Sequence, residues 1–161
     1  LLPLMVPLII IAVGVFFVYA ELGLIASVPG LVLSHTMLTL PFVVVTARSG
    51  LKGFDMSQER AARSLGASRL RAFWDVTLPQ IRGSVIAGAV FAFIYALDEV
   101  VVALFISGGP NATLTKRMFT ALRDEIEPTI AAISALLIAF SLLVALVGMA
   151  LGGARTAAKD A

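Results

Sequence analysis

Long runs without a charged side chain are what most constrain this sequence. Leu1 to Ala20 carries no charge, nor does Leu22 to Ala47, nor 129–152. A bilayer core of about 30 Å needs about 20 mainly apolar residues per helix, and only helices or closed barrels satisfy their backbone there. Four stretches meet that demand, at 4–20, 30–48, 82–107 and 129–152. Hydrophobic residues make up 60% of the 161, above the roughly half expected of a soluble domain. The expectation is an all-α membrane protein, a single domain over 1–161 with about four transmembrane helices. With no Cys and one His, disulfides, thiolate metal sites and His-rich clusters are excluded, so no metal site is expected. The chain begins within an apolar run, without Met and without a basic segment ahead of it. It therefore reads as a fragment lacking its N-terminal part, not as one carrying a signal peptide.

The connections follow from turn chemistry. Glu21 and Gly23 mark the exit of the first span, and Ser27-Val28-Pro29-Gly30 reads as a turn, not helix. Pro41 falls inside the second span, where a kink is expected. His35, in the same span, reads either as a packed residue bonded to a carbonyl or as a pathway residue. Residues 108–127 form an outer connection, with Lys116, Arg117 and Arg123 opposite Asp124, Glu125 and Glu127. A short helix fits Leu114 to Arg123, and Pro128 suits the first turn of the last helix.

Between the second and third spans lies the most charged segment, 49–81. Seven of the twelve Lys/Arg occur from Arg48 to Arg82, against Asp55, Glu59 and Asp75. Asp55-Met56-Ser57-Gln58 has the form of a capping box, which starts a short helix at about 56–65. Gly66 then stands where a left-handed residue ends a helix. Ala61, Ala62 and Leu65 share one face, and small residues allow close approach of a partner. Ser68 can cap a further turn or two over 68–77, and Pro79 introduces the third span. If 48–82 and the C-terminus are cytoplasmic, nine Lys/Arg lie inside and three outside, as the positive-inside rule favours.

In the third span Gly83, Ala87, Gly88, Ala89 and Ala92 offer surfaces for close helix packing. The same span holds Asp98 and Glu99. A central carboxylate costs about 2.5–3.5 kcal/mol on translocon scales, so such groups face a bundle interior or water. Two readings stand for the pair: a cation-attracting step in a translocation pathway, or pairing with Arg or backbone donors at a helix contact. Neighbouring helix positions point about 100° apart, so both side chains lining one pore is not expected.

The loop resembles the EAA loop of bacterial ABC importer permeases. The family pattern is Glu-Ala-Ala, three residues, Gly, nine residues, then Ile-x-Leu-Pro. Here Ala61-Ala62, Gly66 and Val76-x-Leu78-Pro79 keep that spacing, with Val76 for Ile. Arg60 stands at the Glu position, and Glu59 is one residue early. GAVFAFIYALDEVVVALFISGGPNATLTKRMF and ALRDEIEPTIAAISALLI are similar to spermidine/putrescine-type permeases, although Thr115 replaces a Pro of their outer loop. The resemblance implies a type I ABC importer transmembrane domain, in which six helices are usual and about two N-terminal ones are missing here. It implies a cytoplasmic coupling helix that docks on an ATPase through Glu59, Arg60, Ala61, Ala62, Leu65, Gly66, Val76, Leu78 and Pro79. It further implies a bacterial inner-membrane location, and as partners a cytosolic ABC ATPase dimer, a second permease subunit, identical or homologous, and a periplasmic solute-binding protein.

No Walker A pattern occurs, so ATP and Mg belong to a separate ATPase. The chain is expected to bind no cofactor, to contact lipid but not nucleic acid, and to have no catalytic residue, as a transport subunit and not an enzyme. A polyamine is the expected solute; a phosphonate, an opine, ferric iron or another small solute is the alternative. From other classes, an ion-coupled secondary transporter would use Asp98 and Glu99 as its ion site, and a membrane scaffold would use the loop to recruit a soluble partner.

Overall fold

The computed structural model describes residues 5–124 and 128–153, all helical or in short connections. Eight α-helices occur among them. α1 is Leu8–Leu22, α2 Val28–Lys52, α3 Met56–Ser64 and α4 Arg69–Ala72; α5 is Leu78–Asp98, α6 Val101–Ile106, α7 Leu114–Asp124 and α8 Pro128–Gly153. A π-turn, Phe73–Thr77, joins α4 to α5, and a 3₁₀ turn, Gly109–Asn111, precedes α7. The core is small. Ala12, Leu38, Val102 and Ile106 form its fully buried centre, with Tyr19, Tyr95 and Phe105 packed around it. Leu136, Ile138, Leu142, Leu143, Leu146 and Met149 of α8 are all exposed, an apolar exterior suited to lipid or a partner helix and not to water.

Among the described residues three helices are long and apolar enough to cross a membrane: Val28–Lys52, Arg69–Asp98 and Thr129–Ala150. The expected first span is shorter than that. Its described part, α1, has 15 residues, about 22 Å at 1.5 Å per residue and less than a bilayer core. Pro7 precedes it, and Gly23 at φ 67° stops it, with the Leu24 N–H donating to Tyr19 O at 2.9 Å.

The second span begins earlier and ends later than 30–48. Ser27-Val28-Pro29-Gly30 is a helix start, not a separate turn, because the Ser27 hydroxyl accepts from the Gly30 N–H at 3.1 Å and donates to Leu24 O at 2.7 Å. Pro29 falls in the first turn, where its missing N–H is not needed. Gly30 is required there: a Cβ would collide with Leu24 O. The helix runs unbroken through Pro41 to Lys52.

The third span is displaced toward the N-terminus, from 82–107 to Arg69–Asp98. Pro79 lies inside a continuous helix because the turn before it widens. Leu78 N–H reaches back five residues to Phe73 O, so the loss of one N–H is absorbed in a π-turn. At its other end the helix stops at Asp98, and α6 is a separate piece. The expected outer connection 108–127 contains the 3₁₀ turn and α7; residues 125–127 and the tail with Arg155 and Lys159 lie outside the described residues.

The chain forms two compact units, Leu1–Pro41 with Ala92–Leu143, and Phe42–Phe91 with Val144–Ala161. The first holds α1, α6, α7 and the acidic pair. The second holds α3, α4 and the facing parts of α2 and α5. There Gly88 lets α5 approach α2, since a Cβ would meet Thr46 Oγ1 and lie 3.0 Å from Val43 Cα.

Candidate functional site

In the second unit the charged segment folds as two short helices around Gly66. Asp55 starts α3, but its partner is not Gln58. Its carboxylate accepts from Ser57 N–H at 2.9 Å and from the Ser57 hydroxyl at 2.6 Å. These bonds, the hydroxyl's first, hold the Asp55 carboxyl below its ordinary value, with a smaller contribution from Arg60. The Gln58 side chain instead accepts from Gln80 Nε2, tying α3 to the start of α5. α3 ends as its sequence suggests. Gly66 sits at φ 93°, Gly66 N–H donates to Arg63 O at 3.0 Å, and Ala67 N–H donates to Ala62 O at 3.1 Å. Ser68 then caps α4 by accepting from Arg71 N–H at 3.3 Å.

The motif positions divide into inward and outward sets. Glu59 is half-buried and accepts from the buried Thr77 hydroxyl at 3.1 Å, which braces α3 against the π-turn. Ala62, Val76 and Leu78 are half-buried beside it. Arg60, Ala61, Gly66 and Pro79 face outward, and Leu65 is 90% exposed. Glu59 therefore does not turn outward in place of the Glu that Arg60 replaces. Leu70 and Trp74 are exposed as well.

In the first unit Asp98 and Glu99 part company. Glu99 is 5% exposed; its Oε1 accepts from Val102 N–H at 2.6 Å and its Oε2 from Ala103 N–H at 3.0 Å. A carboxylate on the free N–H groups of a helix start is favoured by charge and dipole together. This bond set ends α5 and starts α6. Thr115 Oγ1 donates to Glu99 O at 3.0 Å, and Lys116 Nζ donates to Leu104 O at 2.9 Å and also to Ser107 O, holding the far end of α6. His35 donates from Nδ1 to Leu31 O at 2.8 Å, since a carbonyl only accepts, and its Nε2 lies 3.9 Å from Glu99 Oε2.

Asp98 is exposed and lines a cavity of about 380 Å³ with Thr115, Met118, Phe119 and Leu122 of α7 and Ser134 of α8. The hydroxyl hydrogens of Thr115 and Ser134 are committed to Glu99 O and Ile130 O, at 3.0 and 2.8 Å. What remains toward the cavity is acceptor capacity: one carboxylate and two hydroxyl oxygens in an apolar wall. Sequence reasoning missed α7 as a wall and Lys116 as a helix clamp. The signal was present, because Thr115, Met118, Phe119 and Leu122 follow the i, i+3, i+4, i+7 spacing of one helix face.

Residues 1–154 match the family described as binding-protein-dependent transport system inner membrane component. The chain is 31% identical over 153 residues to the spermidine/putrescine transport system permease protein PotC of Escherichia coli (strain K12), covering 95% of this chain and 58% of that protein. It is 33% identical over 139 residues to PotC of Haemophilus influenzae, 86% of this chain and 54% of that one. It is 37% identical over 106 residues to the putrescine transport system permease protein PotI of Escherichia coli (strain K12), 66% of this chain and 38% of that one. The chain thus spans little more than half the length of the PotC relatives. With three helices of spanning length among the described residues and a match over nearly its whole length, the chain is a multi-pass membrane protein that belongs to the family of inner membrane components of binding-protein-dependent transport systems, with its type I ABC importer transmembrane fold.

Proposed function

We propose that this chain is part of the membrane-spanning subunit of an ATP-driven importer that moves a polyamine across a bacterial inner membrane. The observation that carries the reading is one continuous helix, Arg69–Asp98, which begins in the charged loop and ends at the Asp98 cavity. At the loop end, Glu59–Thr77 and Gln58–Gln80 fasten α3 to that helix. Through these bonds a push on α3 would reach the start of that helix. An ATPase dimer that closes on ATP would supply the push through the exposed face around Leu65, with ATP and Mg held by that subunit. Differential contact in its open and closed states is what shifts the permease between outward and inward forms.

At the cavity end, acceptors in an apolar wall suit a cation with a methylene body. The Asp98 charge acts more strongly in such surroundings than in water. Asp98 is thus the translocation-path residue of the pair, and Glu99 acts through the position of α6. An ion-coupled carrier that uses the two acids as one site fits less well, because Glu99 is spent on backbone N–H groups. The loop and C-terminus are assigned to the cytoplasm by their Lys/Arg excess. A binding protein on the opposite side delivers the solute, and a second permease subunit completes the path. Vesicles holding the full-length permease with its ATPase and binding protein test the reading. Putrescine or spermidine uptake that needs ATP and is blocked by vanadate supports it; uptake driven by an ion gradient without ATP refutes it.

A further inference from the structure

The charges of the loop do not balance within it. Asp55 is taken by Ser57, Glu59 by Thr77 and Asp75 by Arg71 at 3.3 Å. Arg60, Arg63 and Arg69 have no carboxylate within ion-pair distance among the described residues; Arg60 Nε donates to Met56 O at 3.4 Å, and its charge helps to hold the Asp55 carboxyl low. All three are exposed. They converge because Gly66, at φ 93°, turns the chain between α3 and α4. Together they line one cleft of about 550 Å³, with Ser64, Ala67 and Ser68 between them. Ser68 uses its oxygen to accept from Arg71 N–H, which leaves its hydroxyl hydrogen to donate outward. The cleft is therefore a concentration of donors around an uncompensated positive charge. Guanidinium groups in that arrangement repel one another until an oxyanion sits among them, and their planar forks match carboxylates.

We propose that this cleft receives a carboxylate-bearing segment of the ATPase partner, so that the chain docks through a cationic surface. The inference rests on the docking reading above and adds the chemistry of the partner. A protein segment fits better than a lipid surface. A helix that lies on lipid needs a broad apolar face, and α3 is MSQERAARS, with Met56 and two alanines. Exposed Leu65, Leu70 and Trp74 interspersed with arginines are instead the composition of a protein interface, where Trp and Arg are enriched.

The test compares two variants of the full-length permease, each co-expressed with its ATPase: Arg60→Glu with Arg63→Glu and Arg69→Glu, and Leu65→Asp alone. The charge reversal is expected to lower ATPase co-purification by roughly tenfold or more at low salt. Raised salt should weaken the parent complex in the same sense. Exchanging the facing ATPase carboxylates for Lys should restore binding to the reversed variant. The milder Arg→Gln triple variant should lose less, which separates charge from misfolding. If reversal leaves co-purification and its salt dependence unchanged while Leu65→Asp abolishes it, docking stands and the acidic partner is refuted. If neither variant weakens the complex, both readings fall. If reversal weakens only flotation with phosphatidylglycerol vesicles and spares the ATPase, the cleft is a lipid site and the proposal is overturned.

Discussion

Removing the Glu99 carboxylate tests whether that residue is structural. Glu99→Ala strips the acceptors from two N–H groups, Val102 and Ala103, whose residues are both fully buried. Water cannot replace an acceptor at such positions without opening α6. Each buried donor left unpaired costs about 1–3 kcal/mol, so the pair costs roughly 2–6 kcal/mol. Glu99→Gln keeps one side-chain oxygen and should lose about half of that. At roughly 2–4 °C per kcal/mol for a chain of this size, the alanine variant should melt at least about 4 °C below the parent. The assay is thermal denaturation of the purified full-length protein in detergent, with the order parent, Gln, Ala. Asp98→Asn serves as the control, since Asp98 is exposed and starts no helix. An alanine variant that melts with the parent would refute the assignment of Glu99 to the α5–α6 junction.

Other outcomes follow from the same geometry. Asp98→Asn should raise the apparent KM for putrescine uptake by roughly tenfold to a hundredfold, the equivalent of one charge-assisted bond of about 1.5–3 kcal/mol, without changing the melting temperature. Gly88→Ala should destabilise by about 1–3 kcal/mol through collision with Thr46 and Val43, read by the same melting assay. Asp55 has a lowered folded pKa, so its bonds to Ser57 stabilise α3 fully above the ordinary carboxylate range. That contribution fades as the pH falls through the depressed value, and hydrogen exchange over 56–59 should quicken in that window in the parent but not in Asp55→Asn.

How much could be read from the residues depended on whether the signal was compositional or made by a side chain. The apolar runs disclosed the helical membrane class, because bilayer thickness sets a length that hydropathy can measure. Gly66 and Ser68 declared the ends of the loop helices through local backbone chemistry. Asp98 and Glu99 have separate surroundings because α5 stops at Asp98, not because they are neighbours on one helix. Helix boundaries were less legible. A carboxylate that leaves α5 to hold the first N–H groups of α6 has the same hydropathy as one that stays in the helix. Pro79 reads as a helix start until the π-turn before it is seen, and Gln58 reads as a capping partner until Gln80 is brought beside it. Those outcomes are decided by contacts between segments far apart in sequence, which no local pattern contains.

The central claim is that α3 and its Gly66 end are gripped by a nucleotide-hydrolysing subunit. The chain has no Cys, so Leu65→Cys in this segment places a single thiol at its most exposed apolar position. A short bifunctional cross-linker should join that thiol to the ATPase in membranes, with a yield that changes when ATP is bound. A thiol that labels freely with a water-soluble reagent yet never joins the ATPase, in either nucleotide state, would contradict the account.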